Sequence, residues 1–134
     1  MTRPDGDTAG IFRELHATIV PVRDLARSLA WYRETLGLAP RRVEEGFLAV
    51  LGTGGPTHIC LYVPEVGAES PEDQATGSFP NFRTDDIDAT HAHLTAHGVR
   101  CTEIGRGGPL SYFTFHDPDG NRIDVCEYGS DWLS

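Results

Sequence analysis

The stretch FHDPDGNRIDVCEY, residues 115–128, carries an acid, Asp124, in the middle of an otherwise apolar arm. A carboxylate in that setting can hold a metal ion, meet a donor on an organic ligand, or lie on a wet face. The acids of DPDGN are of another kind. Pro118 suits the second place of a turn, and Gly120 supplies the positive φ that returns the chain to a strand. Asp117 and Asp119 therefore read as turn formers, and His116 goes with that turn. His93 and His97 are spaced i, i+4, which puts two imidazoles on one helix face and could bind a metal. No acid or third ligand accompanies them, so they read as solvent-exposed, with His91 as half-buried packing.

The elements that must position these residues follow from periodicity. LHATIVPV, residues 15–22, is rich in β-branched residues and reads as a strand. In the helix that follows, Asp24 is the cap, Leu25, Leu29, Tyr32 and Leu36 form the apolar face, and Gly37 is the terminator. Strands are expected at about 39–44, 46–51 and 57–63. Residues 64–77, polar, acidic and broken by Pro64, Gly67, Pro71 and Gly77, read as a linker. The pattern then restarts: a strand in SFPNFRT, a helix capped by Asp85 or Asp86 and ended by Gly98, and strands at 99–104, 110–116 and 121–128. Asp24 and Asp86 are 62 residues apart. The chain is a duplicated βαβββ unit.

The expected fold is therefore α+β. It is one domain over 1–134, with module one at about 15–63 and module two at about 78–128. Two units edge to edge form a curved mixed sheet with helices on its convex side and a cleft on the concave side, where ligand sites are common. The net charge of −9 argues against nucleic acid, which demands a basic face. No apolar run approaches the ~20 residues that span a bilayer. The start, MTRPDGDTAG, has no apolar h-region, and the three cysteines (Cys60, Cys101, Cys126) contain no C-x-x-C pair. A cytoplasmic protein with reduced thiols is expected.

VRDLARSLAWYRETLGL, FRTDDIDATHAHLTAHGV and FHDPDGNRIDV resemble the vicinal oxygen chelate superfamily, and the likeness covers about residues 15–128. That group includes glyoxalase I, extradiol dioxygenases, and fosfomycin and bleomycin resistance proteins. The resemblance implies four metal-ligand positions on the first and last strands of each unit. They fall on Ala17, on His58 or Cys60 depending on register, on Phe79, and on Asp124. Ala17 and Phe79 cannot ligate. His16 adjoins Ala17 and would join only if a bulge turned it inward. The metal set that remains is His16, His58 and Asp124. A catalytic metal usually takes three protein ligands and an open position. No cofactor is therefore expected, with a divalent metal as the alternative.

Alternation sorts the cleft lining. Arg122, Asp124, Cys126 and Tyr128 share one face of the last strand, and Ile123 and Val125 share the other. Phe79, Asn81 and Arg83 face the cleft, as do Tyr112 and Thr114. The first unit contributes Ala17, Ile19, His58, Cys60 and Tyr62, with Phe47 nearby. The ligand-binding set is His58, Cys60, Tyr62, Phe79, Asn81, Tyr112, Thr114, Arg122 and Asp124. Aromatic walls with a few polar groups suit a flat or amphipathic small molecule. The reading is a metal-independent binding protein for an aromatic or cationic compound. Its rivals are a metal-dependent lyase, isomerase or dioxygenase, and a metal-free enzyme with His58 and Asp124 as acid and base. A homodimer, or an intimately paired two-unit monomer, is expected.

Overall fold

The computed structural model describes residues 10–64 and 78–129. All of the expected linker except Pro64 lies outside them. The first unit runs β1 (Ala17–Pro21), α1 (Leu25–Leu36), β2 (Ala39–Glu44), β3 (Leu48–Gly52) and β4 (His58–Tyr62). The second runs β5 (Asn81–Arg83), α2 (Ile87–Ala96), β6 (Gly105–Gly107), β7 (Leu110–His116) and β8 (Arg122–Tyr128). Each unit makes a four-stranded mixed sheet. The orders, β1-β4-β3-β2 and β5-β8-β7-β6, are the same order repeated.

The helix boundaries have local causes. Asp24 takes the Arg27 N–H at 3.1 Å and Asp86 takes the Ala89 N–H at 3.0 Å, so each carboxylate satisfies a donor the first turn leaves unpaired. Gly37 follows α1 at φ 73°, a left-handed conformation that glycine adopts without a Cβ clash. The final β-strands also follow the alternation: Phe113, Phe115, Ile123 and Val125 are buried and their neighbours in sequence are less so, except that Cys126, expected on the cleft face, is buried too.

Two expectations are corrected. Residues 99–104 form no strand; only an isolated bridge joins Cys101 to Phe115, and the pairing begins at Gly105. The centre of the α1 face also differs. Its buried residues are Leu25, Ser28, Tyr32 and Thr35, while Leu29 and Leu36 are half-buried at its flank. Ser28 takes the centre because the surface it meets is polar.

That surface is the turn 117–121. Asp117 and Asp119 are 5% and 3% exposed, so each buried carboxylate must find donors. The Tyr32 hydroxyl donates to Asp117 at 2.6 Å, and the Ser28 hydroxyl donates to Asp119 at 3.0 Å. The Arg23 backbone N–H and guanidinium both reach Asp119, at 3.2 and 3.4 Å. Asn121 donates its side-chain amide to the Pro21 carbonyl at 2.8 Å. Asp117 also takes the N–H groups of Asp119 and Asn121, which is the turn-forming role expected of it. The same acids therefore form the turn and join the two units.

The helices meet through His93, whose Nε2 donates to the Thr35 carbonyl at 3.0 Å. Its exposure agrees with the sequence reading; its bridging role was not foreseen. His91 is half-buried, edge-on to Phe113 at 4.9 Å between ring centroids. One continuous core runs under both helices, from Val20, Leu51 and Leu61 to Phe113, Phe115 and Ile123. Between β1 and β5, which flank the seam, the described residues show no ladder. Pro21 and Pro80 lack N–H donors there, and β5 is only three residues long.

Ile123→Ala is expected to cost about 2–5 kcal/mol in urea unfolding, the range for truncating a buried core residue. Leu29→Ala should cost less than Ile123→Ala, because Leu29 is only half-buried. An equal loss at both would contradict this packing.

Burial, with the Asp117 carboxylate beside it, pushes the Tyr32 phenol far above its ordinary value. An acid whose folded pKa is raised keeps its stabilising effect below the unfolded value, about 10, and loses it as pH rises further. The wild type should therefore lose stability faster than Tyr32→Phe above about pH 10. Absorbance titration of the two proteins should show the Tyr32 phenol ionising only as the fold opens.

Candidate functional site

Asp124 lies at the middle of the second sheet. Register sets Asn81 beside it on β5 and Thr114 beside it on β7. Its backbone N–H donates to the Pro80 carbonyl at 2.9 Å. The Thr114 hydroxyl donates to Oδ1 at 2.8 Å. Arg122 donates from Nε to Oδ1 at 2.9 Å and from Nη2 to Oδ2 at 3.1 Å, a two-point pairing that both planar groups favour. The hydrogen bond to Asp124 raises the Arg122 pKa above its ordinary value. The Arg122 guanidinium also stacks on Phe79, 4.0 Å from the ring centroid. Phe79, Thr114, Arg122 and Asp124 thus form one continuous cluster, with Asn81 next in register.

Tyr112 lies farther out and is half exposed. Its ring crosses Gly105, its partner in the β6–β7 ladder. A Cβ at Gly105 would fall 2.4 Å from that ring. Glycine is required here for the side chain that crosses it, not for an unusual φ.

On the first sheet, His58, Cys60 and Tyr62 alternate with buried Ile59 and Leu61. His58 and Cys60 therefore share the open face. Ala17 is in register with His58. His16 precedes β1, and its ring centroid is 5.0 Å from that of His58. The His16 carbonyl lies 3.2 Å from His58 Nδ1. A carbonyl only accepts, so Nδ1 carries the proton and Nε2 is the ring atom left for a ligand. Burial raises the Cys60 thiol pKa, which favours the thiol over a thiolate nucleophile.

A groove of about 650 Å³ runs along the seam between the sheets. It is lined by the 53–57 loop, His58, Pro80–Arg83 and Tyr128. Of the residues predicted to bind a ligand, the groove brings together His58 and Asn81. Phe79, Thr114, Arg122 and Asp124 form their own cluster on the second sheet. Cys60 and Tyr62 stay on the first sheet, and Tyr112 stays over Gly105. Alternation also places Arg83 and Tyr128 on the cleft face, outside the predicted binding set. The Arg83 guanidinium lies 4.8 Å from the Tyr128 ring centroid. A second cavity of about 220 Å³ lies on the helix side, between Leu36, Phe82, Thr90 and His93, and shares Thr53, Phe82 and Arg83 with the groove.

These donors do not fit a resident divalent metal within one chain. Ala17 and Phe79 occupy two of the positions where the resemblance puts ligands. Among the described residues, no three His, Cys, Asp or Glu side chains form a metal-holding group, so His16, His58 and Asp124 do not converge. Both Asp124 oxygens already accept from Arg122, and one also accepts from Thr114. Among the described residues, no helix is long and apolar enough to cross a membrane.

Comparison with known proteins agrees with this architecture. A family model described as Glyoxalase/Bleomycin resistance protein/Dioxygenase superfamily matches residues 14–125. The uncharacterized protein YaeR of Escherichia coli (strain K12) is 30% identical over 125 residues, covering 86% of this chain and 96% of that protein. The uncharacterized protein YraH of Bacillus subtilis (strain 168) is 30% identical over 115 residues, covering 78% and 90%. Among solved structures, TnmS3, an antibiotic binding protein from Streptomyces sp. CB03234, aligns with a TM-score of 0.73 and 25% identity, covering 90% of this chain and all of that one. A lactoylglutathione lyase from Agrobacterium tumefaciens aligns with a TM-score of 0.68 and 20% identity, covering 90% and 96%, a likeness of fold alone.

Gly105→Ala is expected to push the Tyr112 ring aside while leaving the core intact. The Tyr112 ring resonances should shift in NMR spectra and those of Phe113 and Phe115 should not. Unchanged Tyr112 signals would show that the ring does not rest on Gly105.

Proposed function

The chain belongs to the Glyoxalase/Bleomycin resistance protein/Dioxygenase superfamily, and we propose that within it this protein binds a small molecule without a metal, in the manner of the bleomycin resistance branch. The observation that carries this reading is the pairing of Asp124 with Arg122. The acid at the expected metal position already has a cation from its own strand. A buried or half-buried charge needs such a partner, and once paired it has less to offer a metal. TnmS3, described as an antibiotic binding protein, supports small-molecule binding as a use of this fold.

The ligand is an aromatic or cationic compound. Aromatic chemistry has the firmer support, since Phe79, Tyr112, Phe47 and Ile19 all keep exposed apolar surface. A cation would have to displace Arg122 from Asp124. The acid–base reading is weakened by the same pair, because a general base must be able to accept a proton from the substrate. Metal-dependent lyase, isomerase or dioxygenase chemistry has one observation in its favour, the approach of His16 to His58. Exposed apolar residues on both sheets also support a homodimer, and the cysteine usage supports a cytoplasmic protein.

Elemental analysis of protein purified without an affinity metal should find far less than one manganese, iron, nickel or zinc per chain. A stoichiometric ion would restore the metalloenzyme. Calorimetry against a panel of planar aromatic compounds should show saturable binding to the apoprotein, and silence across the panel would remove the binding-protein reading. Light scattering should give twice the chain mass of 14.7 kDa. A single species at the chain mass would remove the dimer.

A further inference from the structure

The chain carries 20 acids against 11 basic residues, and all the basic residues are arginine. The seam groove reverses that balance. Among the described residues its lining contains Arg83 and His58 but no Asp or Glu. In a chain this acidic, a groove lined by an arginine and a histidine without a carboxylate repels an anion less than the acidic surface around it.

Arg83 suits such a role. Its guanidinium lies over the Tyr128 ring, which limits the side chain's freedom and reduces what a ligand must order on binding. Its ion pair with Asp85 is long, 3.9 Å, and the Asp85 side chain is 96% exposed. Such a surface pair holds weakly and can yield to a better-placed anion. Arg122, by contrast, is held at two nitrogens by Asp124. Across the groove, space is open beside the backbone of Gly54 and Gly55, where no atom lies within 4 Å of a would-be Cβ. Pro80 and Phe82 contribute apolar surface to the same lining.

We infer that the seam groove takes a ligand with an oxyanion, a carboxylate or a phosphate, on a flat apolar body, and that Arg83 is the specificity residue that reads the oxyanion. The inference rests on the small-molecule-binding reading and narrows it, since the groove disfavours a cationic ligand. The planar guanidinium matches an oxyanion with two parallel donors, which an ammonium could not do.

The test is a matched calorimetric series on the full chain: 2-naphthoate, 2-naphthyl phosphate, neutral 2-naphthamide and 2-naphthylmethylammonium. One or both anions should bind about tenfold tighter than the amide, as a hydrogen-bonded charge contributes. The cation should bind weakest. Arg83→Gln should erase the preference, Arg83→Lys should keep part of it, and Arg106→Gln, outside the groove and paired with Asp88, should leave it intact. Amide NMR spectra of each variant establish that it is folded. Equal binding of anion and amide, or a preference that survives Arg83→Gln, overturns the inference while leaving the binding-protein reading standing. If no naphthalene binds, that reading fails, and inorganic phosphate followed by amide shifts tests the anion site alone. Shifts at residues 53–58 and 81–83 that vanish in Arg83→Gln would uphold it, and their absence would overturn it.

Discussion

Two carboxylates in a tight turn hold this molecule together. Asp117 and Asp119 are almost wholly buried, and a buried carboxylate is tolerated only where donors surround it. The turn supplies some of those donors from its own backbone, and the first unit supplies the rest through Arg23, Ser28 and Tyr32. The second unit's turn therefore cannot leave the first unit's helix without exposing unpaired groups on both sides. That requirement explains why the helix presents Ser28 where an apolar residue would otherwise be expected. It also sets β1 beside β5, although no ladder joins them.

The seam has a functional consequence. Since the two halves meet through a turn, a helix and a shared core, the gap between the sheet edges can remain open. The groove formed there draws on loop, strand end and edge strand from both units. The buried faces of the sheets carry the stability, and the opposite faces are free to vary. Those open faces differ from each other. The first presents His58 with a fixed tautomer beside apolar neighbours. The second presents paired charges, with Arg122 joined to Asp124 and Arg83 lying over Tyr128.

Membership of a family that includes metalloenzymes and resistance proteins does not select between those functions; the side chains at the site must. Here alanine and phenylalanine stand at two positions where ligands would be needed, and the remaining acid is satisfied by its own neighbour. Each change is small. Together they are what supports the proposed recognition of an organic ligand, by stacking and by hydrogen bonds, over a metal-centred cleft.

By itself the sequence determined the duplicated unit, the first helix cap and the choice of Asp85 or Asp86 for the second, most of the alternation of buried and open positions on the strands, and the turn at Pro118 and Gly120. These features depend on near neighbours, through spacing, capping and backbone freedom. It also showed that Ala17 and Phe79 cannot bind metal, since residue type alone excludes it. The tertiary structure decided what depends on distant partners. Only there do Asp117 and Asp119 bond to a helix some 85 to 91 residues earlier in the chain. Only there do His93 and Thr35 join the helices, and only there does Tyr112 lie across Gly105. The binding residues chosen by alternation divide between a groove and a separate cluster for the same reason. Period two assigns a side chain to a face, but its position on that face is set by register between strands and by the seam between sheets, which no local spacing encodes.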